Sequence, residues 1–363
     1  MESTTIDIYP EMFNRQEMTL VKSGTLSANV FHFPSGVQAV RLVNDVGHLV
    51  MLPFQGQQIW EAVMHGRNLT MSTIFDQPYP NRELLSTFGC FLMHCGATTI
   101  GSPGPGDNHP VHGELPNAIY ETAQIVLGED ETGPYIGLTG IYRHQKTYNY
   151  NYIAQPMVRL YKGSSIFHVS MTVTNLRPTP LPMMYLAHIN FKSVDNGHIY
   201  YSTPCDPQHV MVRSSIPSHL NVKPTYREFI ERLKFHPEEH LLLKPELDFD
   251  PEIVFYINYH ADEAGWARAM QVHPDGSADM VMHRTDQLNK GICWISRMAD
   301  QQAIGFEPGT AEVEGFTIEK EKGNLRYINS GEQFHCDIKT GYLSPQEAAI
   351  QKQILEQTAG RLK

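Results

Sequence analysis

Residues 167–174, Phe167-His168-Val169-Ser170-Met171-Thr172-Val173-Thr174, alternate apolar and polar side chains without error. A period of two turns one face of a strand towards a core and the other towards water. Shorter stretches of the same kind occur at Val40-Arg41-Leu42, from Tyr135 to Tyr142, at Phe316-Thr317-Ile318-Glu319, and at Phe334-His335-Cys336-Asp337-Ile338 after the turn signal Asn329-Ser330-Gly331. The run Leu181-Pro182-Met183-Met184-Tyr185-Leu186-Ala187 reads as a buried strand.

Two segments carry helix signals instead. Thr225 to Lys234 opens with a capping box, Thr225-x-x-Glu228, and Ser344-Pro345-Gln346-Glu347 combines a cap, a proline at the first helical position and a glutamate at the third. The second signal predicts a C-terminal helix to about Thr358. No Pro/Ser linker, low-complexity run or repeat divides the chain. Strands spread from about Leu26 to Leu343 with few helices predict an all-β fold, a large antiparallel β-sandwich, because parallel strands need a crossover helix between most pairs. The expected organisation is an N-terminal arm (1–25), one sandwich domain (26–343) with a short helical insertion, and a C-terminal helix (344–363).

Composition narrows the class of partner. The 363 residues carry 28 Lys and Arg against 39 Asp and Glu, a formal charge of −11, with no long basic run. Phosphate backbones are bound by clustered cations, so nucleic acid is not an expected partner. No apolar run reaches the roughly 18 residues of a spanning helix, and the start of the chain shows no basic segment followed by an apolar core. A cytoplasmic protein without a membrane partner is expected, and a homodimer is compatible with the sequence. The five cysteines lack metal-finger spacing and are expected as free thiols, with Cys95 beside His94 more readily a small buried hydrophobe than a nucleophile.

Three blocks carry candidate chemistry. In Asp107-Asn108-His109-Pro110-Val111-His112-Gly113-Glu114, two histidines three apart precede a carboxylate. His109, His112 and Glu114 could ligate a metal, although Pro110 works against the helix that would align them, and a loop presenting His112 to an organic ligand needs no further ligands. In Ala187-His188-Ile189-Asn190-Phe191, Asn190 shares a strand face with His188, and Asn175 lies upstream; imidazole and amide together suit sugar hydroxyls. In Ile304-Gly305-Phe306-Glu307-Pro308, apolar neighbours would desolvate Glu307 and raise its pKa towards the range of a general base. An imidazole and a carboxylate have ordinary pKa values on either side of neutrality, which suits chemistry that takes one proton and gives another.

With His112-Gly113, then Asn175 and His188-Ile189-Asn190-Phe191, then Phe306-Glu307-Pro308 in that order, the chain resembles the aldose 1-epimerase (galactose mutarotase-like) superfamily, particularly its little-characterised bacterial branch. The resemblance covers roughly residues 26–343 in outline. It departs from better-known members at Ile189, where an aromatic is usual, and at Asn81-Arg82, which only loosely matches a sugar-binding Asn-Arg element. It implies a supersandwich whose concave face holds a sugar, His188 as the acid on the ring oxygen, Glu307 as the base on the anomeric hydroxyl, and His112 as a polarising hydrogen-bond partner. His109, Asn190, Asn175, Arg82 and Trp60 are the further substrate-binding candidates, and Phe306 or Tyr185 could stack on the sugar. No cofactor or metal is implied, and the expected activity is anomer interconversion of a small-molecule sugar. The alternatives are a metal-dependent sugar isomerase or lyase built on His109, His112 and Glu114, and a non-catalytic carbohydrate-binding protein.

Overall fold

The strand Leu181–Phe191 shows how the chain builds two interiors from one pattern. Tyr185, Ala187, Ile189 and Phe191 enter one hydrophobic cluster, while Met184 and Leu186 point the other way into a second. The same split recurs in Ile253–Ile257, where Ile253, Phe255 and Ile257 face the first cluster and Val254 and Tyr256 the second, and in Lys290–Arg297, where Cys293 and Ile295 oppose Ile292 and Trp294. Because successive side chains leave a strand on opposite faces, burial of both faces produces the near-continuous apolar runs of these segments.

The computed structural model describes residues 3–216, 222–247 and 249–360. The fold is a large antiparallel β-sandwich. One sheet has nine strands and the other thirteen, and the named strand pairs are antiparallel. At the centre of the larger sheet the order is Ile253–Ile257, Lys290–Arg297, Gln302–Gly309, Leu181–Phe191 and Leu92–Ala97. The main core lies between the sheets and includes Phe91, Phe167, Phe191 and Phe306; the second cluster lies on the opposite face of the larger sheet, where loops cover it.

The perfect alternation at 167–174 lies in the strand Ile166–Asn175, which pairs with Tyr150–Tyr161 and Gln333–Leu343. Residues of the N-terminal segment add edge strands to both sheets, Thr4–Ile8 against Thr122–Asp130 and Met18–Ser23 against Leu26–His32. The C-terminal helix Pro345–Thr358 is capped by Ser344 and Glu347 in a reciprocal capping box. Its Ala348 and Leu355 pack with Met270, Ala278, Met280 and Leu343.

Two expectations are corrected. Phe316-Thr317-Ile318-Glu319 is not a strand but the start of a helix, Phe316–Glu321. Gly315, at φ +87°, turns the chain out of the extended conformation, and the buried Glu319 carboxylate then accepts the N–H groups of Glu312 and Glu314. The helix near 225 exists, as Pro224–Leu233, but the Thr225 capping box does not form: Pro224 takes the first helical position and Lys223 becomes the N-cap. Among the described residues no helix is long and apolar enough to cross a membrane.

Candidate active site

The register that pairs Leu186 with Gly309 and Asn190 with Gly305 sets His188 directly across from Glu307 on neighbouring strands. Residues opposite each other on an antiparallel pair bring their side chains together on one face. His188 Nδ1 and Glu307 Oε1 are 3.1 Å apart, and both side chains are almost wholly buried. Nδ1 also stands 2.6 Å from Asn190 Oδ1. The Asn190 amide is oriented by its Nδ2, which donates to the Cys90 carbonyl at 3.1 Å. That network assigns the Nδ1 proton to the bond with Asn190 and leaves Nε2 as the nitrogen free for proton transfer.

Glu307 is the oddity of the site. Its Oε1 is buried with no hydrogen-bond partner among the described residues, since the His188 N–H is directed at Asn190. An unpartnered buried carboxylate is costly as an anion. Burial first, then the charge of Glu252, hold its carboxyl well above the usual carboxylate range. Burial first, then His112, hold the His188 imidazole well below its usual range, against the opposing bond from Asn190. Burial thus disfavours the charged form of both members of the pair. Gly305, two residues before Glu307 on the same face, leaves the space this carboxylate occupies: a Cβ there would lie 2.3 Å from Oε1.

His112 reaches the pair from a loop. Its backbone sits in the left-handed region at φ +60°, sparsely populated for a residue with a side chain, followed by Gly113 at φ +79°. The loop is held by the His112 N–H to the Gly101 carbonyl at 2.9 Å and the Gly96 N–H to the His112 carbonyl at 2.9 Å. The Gly101 N–H also donates to His112 Nδ1 at 3.4 Å, so Nε2 carries the proton and is a donor. The His112 and His188 rings meet edge to face with centroids 5.2 Å apart. Burial, then the charges of Arg213 and His109, lower the His112 pKa to about 4, so it serves as a neutral donor at physiological pH.

These groups line a partly open pocket with an interior volume of about 110 Å³. Phe88 and Trp294 flank His188, with ring centroids 5.6 and 5.4 Å from its own. Val254, Ile292 and Val313 extend the apolar wall, and Arg213 and Glu252 supply its other charged groups. Trp294 Nε1 donates to Glu252 Oε2 at 2.7 Å.

Of the residues singled out in the sequence, the fold gathers His112, His188, Asn190 and Glu307. Asn190 touches His188 rather than serving as an open sugar contact. Asn175 lies apart, at the end of a strand in the other sheet; its amide is consumed by the Thr179 and Ile328 carbonyls and the Arg177 N–H. Arg82 lines a neighbouring groove with Arg143 and Asn117. Trp60 is buried in the second cluster and is not part of the cavity wall, while Phe306 and Tyr185 face the core between the sheets. The aromatic walls are Phe88 and Trp294 instead. His109 bonds the Pro110 carbonyl and lies 3.7 Å from Asp107, and Glu114 accepts from Thr98 and Tyr152. His109, His112 and Glu114 thus do not converge, and no metal-holding group of three His, Cys, Asp or Glu occurs among the described residues. Cys95 is fully buried and its thiol is pushed well up by that burial, as befits a packing residue.

Sequence reasoning missed Phe88, Arg213, Glu252 and Trp294. Arg213 and Glu252 each abut an apolar strand, after Val210-Met211-Val212 and before Ile253-Val254-Phe255. A charge at a strand end is a common surface feature, and nothing in the linear order ties these two to His188.

A large antiparallel sandwich of this kind is the galactose mutarotase-like fold. It is shared with a Klebsiella pneumoniae protein described as a "putative aldose 1-epimerase" (TM-score 0.83, 17% identity, 100% of this chain and 97% of that one). Galactose mutarotase-like proteins of Clostridium acetobutylicum (TM-score 0.60, 12% identity, 88% and 99%) and Lactobacillus casei (TM-score 0.55, 12% identity, 84% and 99%) share it as well. The comparison with curated proteins gives no match. The chain belongs to the family described as "Domain of unknown function (DUF4432)", which it matches over residues 34–194 and 232–341.

Proposed function

We propose that this pocket opens and recloses the hemiacetal ring of an aldose, an isomerase activity of the aldose 1-epimerase type. The observation that carries the reading is the opposed pair: one buried imidazole with a free Nε2, and one buried carboxyl whose Oε1 has no donor among the described residues, lining a single pocket. A bound sugar supplies what the pair lacks. Its anomeric hydroxyl is a donor for Glu307, and its ring oxygen is an acceptor for a protonated His188 Nε2. With those partners present the ionic form of the pair becomes favourable; Glu307 takes the anomeric proton and His188 gives one to the ring oxygen, breaking the C1–O5 bond and leaving an open aldehyde. Rotation about C1–C2 and the reverse transfers close the ring as the other anomer. His112 Nε2–H donates to a sugar oxygen, and Trp294 or Phe88 covers an apolar ring face. Two positioned proton-transfer groups, each typically giving about 10²–10⁴-fold, suffice for a reaction that already proceeds in water.

The family likeness in the names of the structural neighbours points the same way. Exchange NMR of anomeric protons over a panel of aldoses tests the proposal: Glu307→Gln and His188→Asn should each lower anomer exchange by at least about 10³-fold in protein that keeps its fold. Wild-type rates in both variants would sink it.

A further inference from the structure

The charges of the pocket bear on which sugars it admits. Its one arginine, Arg213, is already neutralised: Nη2 lies 3.1 Å from Glu314 Oε2 and Nε 3.2 Å from Oε1, with both side chains mostly buried. Tyr256 and Ser215 donate to the same Glu314 carboxylate, at 2.6 Å for Tyr256 and 2.7 Å for the shorter Ser215 bond, so Arg213 and Glu314 act as one internally balanced unit. Arg213 Nη1 has no hydrogen-bond partner among the described residues, which leaves its two N–H bonds for a ligand but no spare positive charge. On the same wall Glu252 receives only the neutral indole N–H of Trp294 and forms no ion pair among the described residues. His112 adds a donor without a charge, since its pKa lies near 4.

We infer that the pocket is built for an uncharged aldose and rejects sugars carrying a phosphate or carboxylate. The inference rests on the hemiacetal-opening reading of the same site. An anionic substituent here would face the Glu252 carboxylate inside a partly desolvated wall, with no unpaired cation among the described residues of the pocket to offset it. Like charges at such range cost on the order of 100-fold in affinity. A hydroxyl meets the opposite situation, because it can donate to Glu252 and accept from Arg213 Nη1 or His112 Nε2. Arg82 and Arg143, which form no ion pair among the described residues, lie in a neighbouring groove that shares Leu84 and Val111 with the pocket but contains neither His188 nor Glu307.

The test compares neutral hexoses with their own 6-phosphates and uronic acids, by anomer-exchange NMR and, independently of turnover, by the fluorescence of Trp294 on titration. The neutral member of each set should be favoured by about 100-fold or more in both readouts. In Glu252→Gln, which keeps an acceptor for Trp294 but loses the charge, that ratio should fall by at least about tenfold. Equal or better binding of the anionic sugars, or discrimination unchanged in Glu252→Gln, overturns the inference. Selective binding of neutral sugars without exchange would overturn the catalytic reading and leave the inference standing, whereas absence of both exchange and any fluorescence response to either class overturns both.

Discussion

His273–Asp279 and His188–Glu307 are both buried histidine–carboxylate pairs, and only one looks made for chemistry. His273 Nε2 lies 2.9 Å from Asp279 Oδ2, both side chains being about 1% exposed, and His188 Nδ1 lies 3.1 Å from Glu307 Oε1 at 7% and 2%. Distance and burial scarcely separate them. Their surroundings do. His273 also contacts Ser277 Oγ at 2.9 Å and Arg67 Nη2 at 3.1 Å, and Asp279 accepts from Gln271 Nε2 at 2.9 Å. Ser277, His273 and Asp279 even form a chain like that of a serine hydrolase, yet Ser277 is 1% exposed and no substrate could reach it. Each pair leaves one carboxylate oxygen, Asp279 Oδ1 and Glu307 Oε1, without a donor among the described residues, but Asp279 Oδ2 is held by Gln271 and His273, whereas Glu307 lines a pocket. A buried acid–imidazole pair is thus a weak sign of catalysis by itself; what separates a site from a structural joint is whether other protein groups have already solvated it.

Mutation should divide the two pairs sharply. Asp279→Ala leaves His273 and Gln271 without their acceptor and should cost about 3–5 kcal/mol of stability, while anomer exchange per folded molecule stays within about threefold. Denaturant unfolding and exchange NMR on the same preparation check this, and a large loss of turnover with little loss of stability would erase the distinction.

Asn190→Ala should have a smaller effect, confined to the other pair. Loss of the bond that orients His188 should lower turnover by roughly ten- to a hundredfold, with the pH profile displaced to lower pH, because that bond raises the imidazole pKa. Asn190→Asp, which keeps an acceptor, should recover part of the activity. An unchanged pH profile in Asn190→Ala would show that Asn190 only packs.

The smallest effect concerns stability against pH. A carboxyl whose pKa is raised on folding binds its proton more tightly in the folded state, so the folded protein loses stability as pH climbs above the unfolded value near 4.5. Glu307→Gln, which is neutral at all pH, should therefore melt a few degrees above wild type at pH 8, with the advantage shrinking towards pH 4.5. The buried histidines act with the opposite sense. His94 and His283 are lowered to about 3 and His240 to about 4, all by burial, so their contribution is complete above pH 6.5 and is lost as pH falls towards those values. A melting temperature that falls between pH 6.5 and 4 in both proteins, with the variant ahead only at the alkaline end, is the expected pattern.

Much of this architecture was legible in the order of residues. Error-free alternation at 167–174 marked a real strand, and the Ser344-Pro345-Gln346-Glu347 signal marked a real helix start, because strand facing and helix capping are settled by neighbours a few positions away. The same local logic failed at 316–319, where a glycine with positive φ and a buried glutamate overrode an alternating pattern. His188 and Glu307 could each be picked out as polar groups in apolar company, and Asn190 could be placed on the face of His188 by period two alone.

Their meeting could not be read that way. It depends on two strands 119 positions apart in sequence pairing in the one register that sets them opposite, a choice made by which faces both strands bury. The same holds for what surrounds them. Arg213 with Glu314, Glu252 with Trp294, and His112 on its left-handed loop come from distant segments, each unremarkable alone. The sequence by itself determined the all-β class, the faces of the strands and the candidate acid and base, since those follow from local periodicity and side-chain chemistry. Only the tertiary structure decided which buried carboxyl would be left without donors and which charges would stand beside it, because solvation and Coulomb interaction depend on distance in space rather than along the chain.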